Sequence, residues 1–223
     1  MSVQLSIIIP ALDEADTIGV LLQQLQPLRE RGHEVILVDG GSTDATTALA
    51  RPLADRLLVT PAGRARQMNA GAGVAVGQVL WFLHADSSIP AAADTHVLNI
   101  CRPAWGRFNV RLSGDGLLLR SVARLMNLRS CLTGIATGDQ GLFVSRTLFD
   151  RVGGYANLPL MEDIDLSKRL KRIQRPVCVR HTLTTSSRRW EKHGVVRTIL
   201  LMWYLRLAWC LGVPAARLAE RYG

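Results

Sequence analysis

The sequence has few cysteines, and they lie far apart. It holds only four in 223 residues, at positions 101, 131, 178 and 210. This spacing excludes a disulfide-rich scaffold and a paired-cysteine zinc site, and it predicts a reduced cytosolic protein. The N-terminus also lacks a basic segment followed by a small-residue cleavage site, so no signal peptide is expected.

Linker-like and low-complexity stretches are absent as well, so the chain has no clear internal boundary. Hydrophobic residues make up 48% of the sequence, which is enough for a full core. We therefore predict a single domain over residues 1–193. An apolar and basic helical appendage is expected over residues 194–223.

Acidic residues are scarce in the second half of the chain. Residues 101–223 hold 21 Lys or Arg and eight acids, a net charge of +13, whereas residues 1–100 carry −4. A basic half predicts a polyanionic partner, such as anionic lipid or a phosphorylated substrate. Nucleic acid is not expected, because the arginines are dispersed and no segment resembles a nucleic-acid-binding module.

Short apolar runs alternate with helical patterns in the first half. Strands are predicted at Leu5–Ile9, Val35–Val38, Leu57–Val59 and Val79–Leu83, and helices over 17–28, 44–53 and 64–76, with Asp44 as a possible cap of the second. This alternation predicts an α/β fold with a mostly parallel, Rossmann-like nucleotide-binding sheet and flanking helices. The second half is less regular, with strands at Phe108–Leu112 and Gly141–Val144 and helices over 115–131, 163–173, 194–211 and after Pro214.

The first strand lacks the glycine-rich turn of a dinucleotide site. It ends in Pro10, Ala11, Leu12, Asp13 and Glu14. Acids also follow the second and fourth strands, at Asp39 and Asp86. In an open α/β sheet ligands bind at these carboxyl ends, where carboxylates hold a hard cation or bond to a base or ribose. Gly71-Ala72-Gly73 with Gly77 lies inside a predicted helix, so it indicates close helix packing and not a dinucleotide fingerprint.

Five segments in this order resemble the family-2 inverting glycosyltransferases of the GT-A fold, and in particular a small bacterial branch of soluble members. They are Ile7–Glu14 (IIIPALDE), Val38–Asp44 (VDGGSTD), Arg64–Gly71 (RARQMNAG), Phe82–Asp86 (FLHAD) and Met161–Asp165 (MEDID). The resemblance implies transfer of a sugar from a nucleotide-diphospho-sugar to an acceptor hydroxyl or lipid phosphate, with inversion. It also implies Mn²⁺ or Mg²⁺ as the cofactor, a nucleotide-sugar half over about 1–100 and an acceptor half over about 101–193.

On the donor side, Asp86 resembles the last acid of the family's Asp-x-Asp metal motif, and His84 replaces the first acid. The family pattern places the nucleotide-sugar against Pro10, Ala11, Asp13, Glu14, Asp39, Arg64, Arg66, His84 and Ala85. Gly40 stands where the family often has a second acid. Helix-capping, turn or solvated roles remain open for these acids and arginines.

On the acceptor side, Asp163 resembles the family's general base, and repulsion from Glu162 and Asp165 is expected to raise its pKa. An acid cluster that only stabilises a helix N-terminus is the alternative. Asp139, Glu162, Arg189 and Trp190 are the further acceptor-side residues that the resemblance implies. Ser186 replaces the glutamine of the processive members' Gln-x-x-Arg-Trp motif, which argues against processive synthesis.

The apolar run Val195–Val213 contains Arg197 and Arg206, so it is not expected to cross a bilayer. A helix lying on an anionic membrane surface is predicted, at the inner face of the membrane, with a core helix or a homodimer interface as alternatives. Two other functions remain open: a catalytically inactive nucleotide-sugar-binding protein, and a nucleotidyltransferase. The second would need a glycine-rich basic loop after the first strand, which is missing.

Overall fold

The computed structural model describes residues 4–100 and 104–222, apart from the side chain of Arg189. Its centre is a seven-stranded sheet in the order β3-β2-β1-β4-β6-β5-β7. The strands are β1 (Leu5–Ala11), β2 (Glu34–Asp39), β3 (Arg56–Val59), β4 (Val79–Phe82), β5 (Trp105–Leu112), β6 (Phe143–Ser145) and β7 (Val177–Thr185). Cys101 lies outside the described residues.

Helices cover both faces of this sheet. They are α1 (Ala15–Glu30), α2 (Thr46–Ala50), α3 (Arg64–Val74), α4 (Ala93–Leu98), α5 (Leu117–Thr133), α6 (Arg146–Arg151), α7 (Glu162–Ile173), α8 (Arg188–His193), α9 (Val195–Cys210) and α10 (Ala215–Tyr222). A 3-10 turn over Gly138–Gln140 precedes β6. One apolar cluster on each face of the sheet forms the main core.

Six of the seven strands point the same way. β1 pairs in parallel with β2 and β4, β2 with β3, and β5 with β7, whereas β6 runs antiparallel to both β4 and β5. The carboxyl ends of the other six strands therefore lie along one edge of the sheet. The 3-10 turn joins that edge because β6 begins there, so the predicted α/β class with a mostly parallel sheet is confirmed.

Close packing against the sheet is confirmed for Gly71 of α3 and for Gly77, although Gly77 lies in the loop after the helix and not inside it. A Cβ on Gly71 would lie 2.5 Å from Cγ2 of Ile8, and one on Gly77 would lie 2.6 Å from the backbone nitrogen of Ser6. Gly73 has open space around it. Gly71 and Gly77 thus let the helix and the following loop approach β1, and they form no phosphate loop.

The predicted helix over 44–53 is wrong in extent, because only Thr46–Ala50 is helical. Asp44 lies before it and accepts hydrogen bonds from the N–H groups of Thr46 (2.9 Å) and Ala15 (3.0 Å). One carboxylate thus binds the first turns of both α2 and α1. Because the Asp44 side chain accepts hydrogen bonds from backbone N–H groups at the start of the helix, residue 44 precedes the helix and does not belong to it.

The C-terminal helices pack on α7. Leu205 and Ala208 of α9 and Leu218 of α10 meet Met161 and Ile164 in a separate apolar cluster. The outer side of α9 is exposed, so the predicted alternative of a core helix is wrong. Within residues 4–100 and 104–222, no helix has the length and apolar character needed to cross a membrane.

Candidate functional site

A cavity of about 800 Å³ opens at the carboxyl edge of the sheet. Seven of the predicted site residues line it. All of these except Trp190 are polar and lie together with arginines, whereas Trp190 lies with the apolar side chains of α5 and α9. The predicted residues that line it are Arg64, His84, Asp86, Asp139, Glu162, Asp163 and Trp190. Residues more than 100 positions apart in the sequence thus meet at one site.

Asp163 lies at the first turn of α7, and its carboxylate is held by two backbone N–H groups. Gly138 donates to its Oδ2 at 2.9 Å, and Ile164 donates to its Oδ1 at 2.7 Å. Burial and then the charge of Glu162 nevertheless raise the pKa of Asp163 to about 7. A carboxylate with such a pKa can both accept and release a proton near neutral pH.

Asp165 does not contribute to this shift as expected. Its Oδ2 forms an ion pair with Arg169 one turn later, with Nη2 at 2.7 Å. The charges that raise the pKa of Asp163 come instead from Glu162 and from Asp139.

His84 follows β4 and lies against the 3-10 turn. A Cβ on Gly138 would come within 2.5 Å of its Nε2, so only glycine fits beside the ring. Burial, and then the charge of Arg64, lowers the pKa of His84 to about 3. The imidazole is therefore neutral at physiological pH, and it does not replace the negative charge of the acid found there in the family motif.

Asp86 is half-buried two residues further on. Burial and the charge of Glu14 raise its pKa, whereas Arg188 lowers it. Arg188 also pairs with Glu14, with Nη2 3.3 Å from Oε2. Glu14, Asp86 and Arg188 therefore lie close together at one corner of the site. The sequence analysis predicted Arg189, and not Arg188, as a site residue.

Arg64 reaches the cavity from the start of α3. Burial of the guanidinium lowers its pKa, but Tyr222, Glu162, Asp163 and Asp139 together raise it above its ordinary value. Arg66 is exposed on the same helix and does not line the cavity. Of the two predicted arginines, Arg64 is the one placed beside the acids.

Asp39 and Asp13 both bind the loop that follows β2. The 2%-exposed Asp39 accepts hydrogen bonds from the N–H groups of Gly41 and Ser42 at 2.9 Å each, and from the Ser42 hydroxyl. Asp13 accepts from the N–H of Thr43 at 2.8 Å. These bonds give both acids a turn-forming role, and their contact with a nucleotide stays a prediction.

The other predicted residues contribute backbone or packing. Pro10 and Ala11 end the buried strand β1, and the carbonyl of Ala11 accepts hydrogen bonds from Gly40 and Gln67 at 2.8 Å each. Ala85 is buried in the core. Trp190 packs between α5 and α9 at the apolar end of the cavity. The side chain of Arg189 lies outside the described residues.

Arg129 of α5 is a cavity residue that sequence reasoning missed. Burial lowers its pKa, and Asp139 and Asp163 oppose that effect. Its Nη2 is buried and has no hydrogen-bond partner among the residues that the structure describes. The helical spacing of Leu119, Val122 and Met126 could have predicted this position, because it places residue 129 on the inward side of the helix.

A metal ion in this site would need ligands from the phosphates of the donor as well as from the protein. The described part of the chain contains no group of three or more His, Cys, Asp or Glu residues that could hold a metal ion. Mg²⁺ is commonly held by one or two carboxylates together with substrate phosphates. Asp86, in a corner that also holds Glu14, fits such a partial site. Burial and then the charge of Glu14 raise the pKa of Asp86, and a cation there would favour its ionised form.

The sequence of residues 6–100 matches the model of the family described as Glycosyl transferase family 2. Beta-monoglucosyldiacylglycerol synthase of Synechocystis is 27% identical over 233 aligned residues, 94% of this chain and 47% of the relative. The chain thus spans about half the length of this curated relative.

Solved structures show the same fold. The S. aureus protein TarS, residues 1–349, superposes with a TM-score of 0.63 at 18% identity over 82% of this chain and 60% of that chain. The mannosyltransferase PcManGT from Pyrobaculum calidifontis, in complex with GDP-Man and Mn²⁺, has a TM-score of 0.63 at 21% identity over 93% and 61% of the two chains. The match over residues 6–100 confirms the predicted resemblance to family-2 glycosyltransferases in that segment, and these structures confirm the GT-A fold.

Proposed function

We propose that this chain, with a family-2 glycosyltransferase sequence on a GT-A fold, transfers a sugar from a nucleotide-diphospho-sugar to an acceptor with inversion. The observation that carries the proposal is the position of Asp163. Its carboxylate has a pKa of about 7 and lines the same cavity as His84 and Asp86, which follow β4. A proton acceptor thus shares one site with the residues that the family pattern assigns to the donor.

Asp86 is the proposed ligand of Mn²⁺ or Mg²⁺, and a metal there would stabilise charge on the leaving diphosphate. The Mn²⁺ and GDP-Man in the PcManGT structure support this assignment. Arg64, at the start of α3 with its guanidinium near the acids, would neutralise diphosphate oxygens.

Asp163 is the proposed general base. The acceptor hydroxyl oxygen attacks the anomeric carbon as its proton passes to Asp163, and the bond from that carbon to the diphosphate breaks with its electron pair leaving on the nucleoside diphosphate. Attack from the face opposite the leaving group inverts the anomeric centre. A lipid-phosphate acceptor is already ionised, and Asp163 would then only orient it.

The C-terminal segment is proposed to meet an anionic membrane surface from the cytosolic side. Trp203 is 70% exposed, and the apolar outer side of α9 carries Arg197 at its start. Such helices lie in the interfacial region with arginines reaching toward head groups. A homodimer through this helix is the alternative.

Calorimetry of UDP and GDP with and without Mn²⁺, followed by donor hydrolysis under the same conditions, tests the function. We expect metal-dependent binding of one nucleotide and metal-dependent hydrolysis of its sugar conjugate. Binding without hydrolysis or transfer would identify the inactive nucleotide-sugar-binding protein, which the replacement of the first motif acid by His84 favours. Binding of neither nucleotide would overturn both functions.

A further inference from the structure

Helix α5 carries apolar side chains on two opposite faces. Leu119 and Val122 pack inward against the end of β5 and against α9. The outer face holds five exposed leucines at helical spacing: Leu117, Leu118, Leu125, Leu128 and Leu132. Contiguous exposed apolar residues of this kind mark an interaction surface on a soluble protein.

Helix α9 presents a second stripe of the same kind. Its buried residues are Thr198, Leu205 and Ala208. Its outer face is exposed and apolar, at Val196, Leu200, Trp203, Tyr204 and Leu207. Both helices therefore carry unpartnered apolar faces, although α9 alone was expected to do so from the sequence.

The two stripes border the mouth of the cavity. Leu125, Leu128 and Leu132 of α5 and Trp203 of α9 line the cavity, and their exposed fractions are 62%, 56%, 67% and 70%. The same cavity ends at Asp163. One continuous path thus leads from the exposed apolar surface to the proposed base.

The charge of these helices favours an anionic bilayer over a second copy of the chain. Neither α5 nor α9 contains an acid, whereas they carry five arginines between them, at positions 120, 124, 129, 197 and 206. A two-fold interface would bring the same basic patches of both copies together. Anionic head groups would instead neutralise them, with each nearby arginine adding to the attraction.

We infer that α5 and α9 together dock on an anionic bilayer, and that the acceptor is an amphiphile of that bilayer whose chain lies between them. This inference rests on the proposed function and names its acceptor class. The head group enters the polar end of the cavity, where Arg129 offers a buried Nη2 without a partner among the described residues. An anionic head group fits that position, and the cavity of about 800 Å³ lies within the range of sites that enclose a whole small ligand.

Vesicle flotation tests the docking face. The protein is mixed with vesicles of pure phosphatidylcholine, or with vesicles that also contain about 30% phosphatidylglycerol and are therefore moderately anionic. We expect flotation only with phosphatidylglycerol. The variant Leu117→Glu/Leu118→Glu, which changes exposed residues outside the cavity, should reduce vesicle partitioning by at least about tenfold.

The matched control is Val59→Glu/Val76→Glu. It adds the same charge at two exposed valines, on β3 at the opposite edge of the sheet and in the loop before β4. It should lower binding far less than the α5 variant. Equal flotation of the α5 variant and the wild type would show that α5 is not part of the docking face. Absent flotation, with a solution dimer that dissociates in the α5 variant, would assign the face to a second copy.

Binding of dodecyl phosphate, below its micelle concentration, tests the cavity. Leu128→Glu should weaken it by at least about tenfold, since a charge replaces apolar wall. Leu117→Glu/Leu118→Glu should leave it unchanged. A protein that binds a nucleoside diphosphate with Mn²⁺ but not dodecyl phosphate would overturn the acceptor class alone. Failure to bind the nucleotide would instead overturn the proposed function, independently of flotation.

Discussion

The backbone N–H of Gly138 donates a 2.9 Å hydrogen bond to Oδ2 of Asp163, across 25 residues of sequence. The bond fixes the carboxylate of α7 against the 3-10 turn that leads into β6. It also lowers the pKa of Asp163, against burial and Glu162, which raise it. The same glycine lies beside His84, so the turn links the proposed base to the donor side of the site.

Asp163→Asn should abolish most transfer and leave donor binding nearly intact. Asparagine is nearly isosteric, removes the basicity and keeps one of the two oxygens that accept from Gly138 and Ile164. The rate of transfer should therefore fall by on the order of 10²–10⁴. Affinity for the nucleoside diphosphate, measured by calorimetry, should stay within a few-fold. A matching loss of donor affinity would make Asp163 a donor ligand or a structural cap.

Transfer should also depend on pH through Asp163. Because the base must be ionised, kcat/KM should rise with pH and level off above about 7, the pKa of this carboxyl. A hydroxyl acceptor should give this profile, whereas a lipid-phosphate acceptor should weaken the dependence. A hydroxyl acceptor with a flat profile from about two units below the pKa to about one unit above it would contradict the assignment.

The same shift predicts a change in stability. The folded-state pKa of Asp163 is about 7 against an ordinary 3.8, so the folded state binds the proton more tightly. Stability is therefore lost as pH rises between these two values, and the loss is complete above the folded pKa. The melting temperature of Asp163→Asn relative to the wild type should thus be higher at pH 8 than at about pH 4. A difference in melting temperature that does not change with pH would mean that burial does not raise the pKa of Asp163.

Asp86→Ala should abolish the metal-linked part of nucleotide binding. The acid follows β4 at the carboxyl edge of the sheet, where a diphosphate should lie, and the described residues contain no cluster that offers a replacement site. Calorimetry of the nucleoside diphosphate with and without Mn²⁺ measures the effect. Asp150→Ala is the matched control, since this acid is exposed at the end of α6, was not predicted to contact the nucleotide and does not line the cavity. Unchanged metal-linked binding in Asp86→Ala would rule out the assignment.

The donor half of the fold could be predicted because its strands are uniform apolar runs. Each residue of β1 and β2 is buried, and each run ends at an acid or just before one. Parallel strands then bring their carboxyl ends to one edge, so the approximate positions of Glu14, Asp39 and Asp86 followed from order alone. The hydrogen bonds that turn Asp39 toward its own loop depend on Gly41 and Ser42, and periodicity does not reveal them.

The second half of the fold was harder to predict because its strands do not form uniform apolar runs. β7 contains Arg180, His181 and Thr182, all exposed, and therefore lacks the apolar run of a buried strand. The site also depends on contacts between distant elements, such as the ion pair of Arg188 with Glu14 and the hydrogen bond from Gly138 to Asp163. A helix such as α5, apolar on both sides, does not reveal which side stays uncovered until its neighbours are placed.

Arg129→Gln should weaken acceptor binding selectively. Arg129 lies where the apolar wall of the cavity meets Asp139 and Asp163, and its buried Nη2 lacks a partner among the described residues. Loss of a charge-assisted hydrogen bond costs about 1.5–3 kcal/mol, so the KM for an anionic acceptor should rise by about 10–150-fold. The affinity for the nucleoside diphosphate and Mn²⁺ should change little.

Arg124→Gln on the same helix is the matched control, because that arginine is exposed and does not line the cavity. It removes the same charge from α5 and should affect vesicle binding more than KM for a water-dispersed acceptor. Equal KM effects of the two variants would mean that Arg129 acts only through the overall charge of the helix. A loss of donor affinity in Arg129→Gln would instead place the guanidinium on the diphosphate, because only a group that contacts the donor would change its dissociation constant in the absence of acceptor.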